Sequence, residues 1–395
     1  MDPIATDLPP LTIRGRCVLP IVQGGMGVGV SAHRLAGTVA SLGAVGTISS
    51  VDLRRHHPDL MRQTQKSRDK ALIDRANLEA LAREIRAALA LADGRGMIAV
   101  NIMRAVSEYA AYVEASCMAG AHALVVGAGL PLDLPELAAG YPAVALIPIL
   151  SDSRGISLVV RKWMRKKRLP DAIVVEHPRH AGGHLGAAKI EDLEDPRFEF
   201  ARVLEETFAV FRELGIERES IPLIVAGGIW KPEQVRSLIA LGASAVQVGT
   251  PFAVTEEGDA HPNFKRVLAG AKPEDIVTFM SVAGLPARAV RTPWLTKYME
   301  KLPILQKRAK ERKDCTLAFD CLATCGLRDG IERFGQFCID HHLAAALAGD
   351  VERGLFFRGG APLPFGAAIR PARELIDYLL NGFPSPLSYT PAPAR

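Results

Sequence analysis

The densest chemistry in this chain lies between Ile173 and His184. A strand-like apolar segment runs through Glu176, His177, Pro178, Arg179 and His180 into Ala181, Gly182, Gly183 and His184. Glycines lack a Cβ and let a ligand approach the backbone closely. A histidine just past a strand end titrates near neutral pH and can serve as base or acid. Taken alone, the run fits a loop with a solvated histidine equally well.

Two later segments add weight to the chemical reading. Ile221–Ile229 is an apolar strand that closes on the paired glycines Gly227 and Gly228, and the helix-like stretch Lys231–Leu241 follows it. Gly242–Thr250 is a second strand, ending in Gln247, Val248, Gly249 and Thr250. Two consecutive strands ending in glycine, each with a helix start behind it, predict the phosphate cup found after the last strands of a (β/α)8 barrel.

The elements that must position these groups alternate. Candidate strands are Val18–Gln23, Ala44–Ile48, Met97–Met103, Ala123–Val126, Val144–Leu150, Ala172–Glu176, Pro222–Ala226 and Ala245–Val248, with helical stretches such as His33–Leu42, Arg75–Leu91 and Arg202–Leu214 between strands. Leu78, Leu81, Ile85 and Leu89 show the i, i+3, i+4 recurrence of a helix face. Eight strands joined by helices predict a closed α/β barrel of TIM type rather than an open sheet. The glycines at 25, 27 and 29 and at 127 and 129 lack the spacing of a dinucleotide-binding turn.

The 395 residues suit one barrel of about 250 residues plus an appendage. The expected division is a barrel over 1–290, a mostly helical, cysteine-containing extension or lid over 291–383, and a proline-rich flexible tail over 384–395. Residues 1–10, with acids and prolines, read unlike a signal peptide, and no apolar run approaches the roughly 20 residues of a membrane span. A soluble cytoplasmic protein without nucleic-acid or membrane partners is expected, the net charge of +5 being modest. The basic cluster Arg161–Arg168 reads first as a solvated helix face. The other reading is a docking patch for a coenzyme A or acyl-carrier thioester, since Trp163 alone is too little aromatic surface for RNA.

With these residues in hand the chain resembles the nitronate monooxygenase family, also called 2-nitropropane dioxygenase-like, and the related flavin-dependent enoyl-ACP reductases. The segments that carry the resemblance are Pro20–Gly27, Val100–Met103, Ala181–His184, Ala226–Ile229 and Gln247–Thr250. The resemblance implies FMN bound at the C-terminal ends of the strands. Gln23, Gly24, Gly25 and Met26 would then lie against the flavin ring and Asn101 would hydrogen-bond it. Gly182, Gly183, Gly227, Gly228, Gln247, Val248, Gly249 and Thr250 would hold ribitol and phosphate, and His184 would be the catalytic histidine. The family commonly has Gln-Gly-x-Glu before Ala-Gly-Gly-His, whereas His177, Pro178, Arg179 and His180 stand here. That departure bears on the substrate more than on the cofactor.

Four of the six cysteines, Cys315, Cys321, Cys325 and Cys338, cluster after the barrel. Their spacing is open to three readings: an iron–sulfur cluster, a zinc site, or unliganded packing. Cys17 and Cys117 read as core residues. The resulting expectation is an FMN-dependent oxidoreductase that oxidises nitronates or nitroalkanes with dioxygen, His184 managing the proton. The alternative is an FMN-dependent enoyl-thioester reductase using NAD(P)H. The oligomeric state is left open, with a homodimer as one reading.

Overall fold

The structure is a computed structural model that describes residues 4–382, so the expected tail at 384–395 lies outside the described residues. A short hairpin of β1 (Leu11–Ile13) and β2 (Arg16–Val18) comes first. Eight parallel strands then close a barrel: β3 (Ile21–Gln23), β4 (Val45–Ser49), β5 (Met97–Met103), β6 (Ala123–Gly127), β7 (Ala145–Leu150), β8 (Ile173–Glu176), β10 (Leu223–Ala226) and β11 (Ala245–Val248). Closure is made by β11 pairing with β3 through Val246 and Ile21, Gln247 and Val22, and Val248 and Gln23. The eight expected strands are all present. The first is divided, because Leu19 and Pro20 separate the hairpin from the barrel and the proline has no N–H to give a ladder.

Alternation along each strand builds two cores. Val22, Val45, Ala99, Val125, Ile147, Val174 and Ile224 point inward, and Leu11, Ile13 and Val18 of the hairpin join them to plug the barrel's lower end. The neighbouring residues Ile173, Val175, Leu223 and Val225 face outward into the layer under the helices. The helix Lys70–Ala92 buries Ile73, Ala80, Leu81, Ile85 and Ala88 there, and Asp69 caps it by accepting from Leu72 N at 3.2 Å.

Beyond the barrel, β12 (Ile276–Met280) and β13 (Pro286–Val290) form an antiparallel pair, and β13 also pairs with β9 (Gly183–His184), which leaves the barrel after β8. The helices Pro293–Lys307 and Ile339–Leu347 pack with this small sheet around Phe279, Leu295, Phe337 and Leu355. The last helix, Ala372–Asn381, returns to the barrel's outer layer and buries Leu375, Ile376, Leu379 and Leu380 in it. Among the described residues no helix is long and apolar enough to cross a membrane.

Candidate active site

The C-terminal ends of the strands surround a cavity of about 290 Å³, roofed by the extension. Of the residues named from the sequence, Gly24, Gly25, Met26, Asn101, Gly182, Gly183, His184, Gly227, Gly228, Gln247, Val248, Gly249 and Thr250 all line it. These thirteen come from β5, β9 and β11 and from the segments that follow β3, β8, β10 and β11. Gln23 does not join them. Its side chain is fully buried, donates to the carbonyls of Gly24 and, at 3.1 Å, Thr47, and accepts from Thr47 N at 2.8 Å. It ties β3 to β4 and leaves no polar atom for a ring.

His184 stands on β9 with Nε2 2.8 Å from Ser281 Oγ. That oxygen also accepts from Ala283 N at 3.0 Å, which fixes the turn between β12 and β13. The Phe357 ring meets the imidazole edge-on with centroids 5.6 Å apart. Burial lowers the His184 pKa to about 4, so the ring is neutral at pH 7 and free to take a proton. Glu176, at the end of β8, also lines the cavity, and burial raises its pKa to about 7. A neutral imidazole and a carboxyl poised near neutrality thus share one chamber.

The glycine-ended strands behave differently from one another. Gly228 has φ +75°, and a Cβ there would lie 2.8 Å from Cβ of His180 rather than in the cavity. At Gly249 the nearest atom to such a Cβ is Met26 Sδ, 3.9 Å away, so the space there is open. Thr250 Oγ1 accepts from Gly359 N at 3.0 Å, and Gly359 lies so close over Gly182 that a Cβ on Gly182 would come 2.5 Å from the Gly359 nitrogen. This crossing seals one wall. Arg288 and Arg358 are buried beside it and donate to the main-chain carbonyls of Ala181 and Pro178, and of Leu268, Gly359 and Ala361. Two buried cations bonded to carbonyls favour an anion nearby.

Asn101 donates from Nδ2 to Val125 O at 3.1 Å, which orients its amide between β5 and β6. Gln247 Oε1 is buried without a partner, an acceptor waiting for a donor. His180 lines the cavity. His177 turns away, its ring 5.3 Å from that of Phe200 and its Nε2 3.8 Å from Glu199. Ser281, Glu176, Phe357, Gly359 and Asp340 escaped the sequence reading. Ser281, Phe357, Gly359 and Asp340 lie outside the barrel strands that carried the reading, and Glu176 sat inside a run whose histidines drew attention.

Cys315, Cys321, Cys325 and Cys338 lie close enough to influence one another electrostatically, but among the described residues no three His, Cys, Asp or Glu side chains are grouped as a metal site requires, so the iron–sulfur reading finds no support. Cys321 and Cys325 instead pack with the apolar cluster of the extension, and burial raises the thiol pKa of Cys321 and Cys325 and pushes that of Cys338 up to about 12. The basic stretch Arg161–Arg168 lies away from the cavity mouth. Arg168 pairs at 2.6 Å with Asp171, just before β8 begins, while Arg161 pairs with Glu213 and Lys166 with Glu136. A thioester docked there would face the closed end of the barrel.

The family model described as nitronate monooxygenase matches residues 11–382. A nitronate monooxygenase of Pseudomonas aeruginosa is 33% identical over 120 residues, 30% of this chain and 31% of that protein. Across the curated relatives the matched stretch covers 29% to 48% of their length. Two solved structures share the fold at a TM-score of 0.61: FabK from Thermotoga maritima, 22% identical and covering 92% of each chain, and the nitroalkane oxidase of Streptomyces ansochromogenes, 20% identical and covering 91% of this chain and 94% of that one.

Proposed function

The chain belongs to the nitronate monooxygenase family, a family of flavin oxidoreductases, and on that premise we propose that it is an FMN-dependent enzyme oxidising nitronates or nitroalkanes with dioxygen. The observation that carries the reading is His184, neutral and hydrogen-bonded to Ser281, standing in the same chamber as the glycine-lined strand ends.

The residues present fit the cofactor. Gly249 leaves open space where a phosphate would meet backbone N–H groups, Arg288 and Arg358 add positive charge to that wall, and Gln247 Oε1 offers a buried acceptor without a partner. Gly227, Gly228, Gly249 and Thr250 would hold the phosphate, while Gly24, Gly25, Met26 and Asn101 would border the ring. When bound, FMN supplies the electron acceptor that the side chains lack. For His184 to take a proton from the carbon beside a nitro group at Nδ1, its Nε2–H donates to Ser281 Oγ. That hydroxyl then faces the positive charge that develops on the imidazole. The extension, through Leu322, Leu355 and Phe357, excludes water from the chamber.

The test is anaerobic mixing of the yellow protein with a nitronate. Bleaching of the flavin absorbance, with colour and product returning on admission of air, supports the reading. Bleaching by NADH or NADPH alone would make it a reductase, and a colourless protein that gains no absorbance with added FMN would remove the reading altogether.

A further inference from the structure

His180 is a half-buried ring that lines the chamber beside the glycine-ended turn after β10. Among the described residues nothing hydrogen-bonds or ion-pairs with either of its ring nitrogens. Its main chain fixes where it stands. The His180 N–H donates to His177 O at 3.2 Å, and its carbonyl accepts from Gly360 N at 3.2 Å. Gly360 belongs to the same crossing segment as Gly359, whose N–H donates to Thr250 Oγ1. The imidazole therefore lies over Gly228, so close that a Cβ on that glycine would come 2.8 Å from Cβ, 2.9 Å from Cγ and 3.3 Å from Cδ2 of His180. A residue without a side chain lets the ring approach this near.

The surroundings of the ring favour an anion. The N–H groups of Gly228, Ile229 and Gly249 have no hydrogen-bond partner among the described residues. The Gly228 carbonyl is drawn the other way, accepting from Gln234 Nε2 at 3.3 Å. Burial holds the His180 pKa below the ordinary 6.5, and Arg179 and Arg288 push it in the same direction against Glu199 and Glu194. The ring is thus neutral at pH 7 and keeps one N–H to donate. His177, whose ring centroid is 4.9 Å away, faces Glu199 and leaves that donor free.

We propose that His180 recognises the phosphate of the flavin, its ring N–H donating to a phosphate oxygen, so that the site selects FMN over riboflavin, the same flavin without that group. Main-chain N–H groups accept whatever oxygen reaches them, whereas a side-chain donor adds a contact that riboflavin has no phosphate oxygen to receive. His180 is a binding residue, and the proton chemistry stays with His184. The inference deepens the reading of this cavity as a flavin site and rests on it.

Fluorescence titration of the full chain, freed of flavin, with FMN and with riboflavin tests it. Wild type should bind FMN more tightly than riboflavin. His180→Leu should raise the FMN dissociation constant about tenfold, the scale of one hydrogen bond to a charged group, and leave that of riboflavin within about twofold. His180→Gln, which returns a side-chain N–H, should recover most of the loss. If the leucine variant does not fold, His180→Ala, smaller than the ring it replaces, should show the same selective loss. Equal affinity of wild type for the two flavins, a preference that survives the substitutions, or a loss that riboflavin shares in full overturns the role of His180. A protein that takes up neither flavin overturns the cofactor reading and this inference with it. Because binding is read without turnover, selection of FMN through His180 in a protein that oxidises no nitronate refutes the proposed reaction alone.

Discussion

Nε2 of His184 lies 2.8 Å from the hydroxyl of Ser281, although 97 residues separate them in the chain. The contact exists because β9 carries the histidine out of the barrel and onto β13, opposite Ala287, while Ser281 sits in the turn that joins β12 to β13. The imidazole is therefore held by a strand pairing, and its hydrogen-bond partner by the turn beside it.

Ser281→Ala should test that support. An oxygen accepting from an imidazolium N–H favours the charged ring, so its loss should move the His184 pKa below its already lowered value of about 4. The acid limb of the pH profile of kcat/KM should shift to lower pH, and kcat on a nitroalkane should drop about tenfold, the scale of one lost hydrogen bond. An unmoved acid limb would leave Ser281 with packing alone.

His184→Asn should keep its flavin and lose about 10²–10⁴-fold in turnover of a neutral nitroalkane, the usual contribution of a general base. The pre-ionised nitronate needs no deprotonation and should still be oxidised. Equal losses on both would place His184 in binding rather than in proton transfer.

Gly249→Ala and Gly228→Ala should fail in different ways. Gly249 has φ −106° and open space ahead of it, so a methyl group there should cut flavin affinity with little change in melting temperature. Gly228 has φ +75°, and a methyl group there meets His180, so its substitution should lower the melting temperature as well. Flavin content measured beside thermal unfolding separates them, and a Gly249→Ala protein with full flavin content would move the phosphate site elsewhere.

Glu176 predicts a pH dependence of stability. Its folded pKa, about 7, lies above the ordinary value of 4.5 because burial penalises the carboxylate. Stability tied to the protonated carboxyl is complete below pH 4.5 and is lost as pH rises through 7. The stability advantage of Glu176→Gln over wild type should grow across that window and level off above it. A pH-independent difference between the two proteins would mean that Glu176 ionises without penalty.

The barrel was legible because its signals are local: apolar strands closed by glycines, at βα spacing. The glycines lining the cavity were legible for the same reason, since Gly227, Gly228 and Gly249 stand just past the ends of β10 and β11. Gln23 misled because a polar residue ending an apolar strand reads the same whether it faces a ligand or, as here, bonds the neighbouring strand through Thr47. Ser281, Phe357 and Asp340 follow the eighth barrel strand, in segments whose approach to the barrel depends on non-local pairing without a periodic signature. The cysteine spacing left three readings open, and the fold packs Cys321 and Cys325 among apolar side chains.

That last outcome transfers the stability of the roof from sulfur to packing, with Phe337 at its centre. Its ring is buried and lies 4.8 Å from Tyr298, 5.2 Å from Trp294 and 6.3 Å from Phe279, centroid to centroid, so it joins the helix Pro293–Lys307 to β12. Phe337→Ala should therefore cost about 3–5 kcal/mol, as large-to-small changes in packed cores do, and should loosen the wall that carries Leu322 and Phe357, speeding flavin release. Cys321→Ser exchanges one buried thiol for a hydroxyl in the same cluster and should cost about 1–3 kcal/mol, the penalty of a poorly bonded polar group. Neither variant should change iron or zinc content. If anaerobically purified wild-type protein carries about four irons with labile sulfide, and Cys321→Ser removes them, the roof is organised by a cluster and the packing account fails.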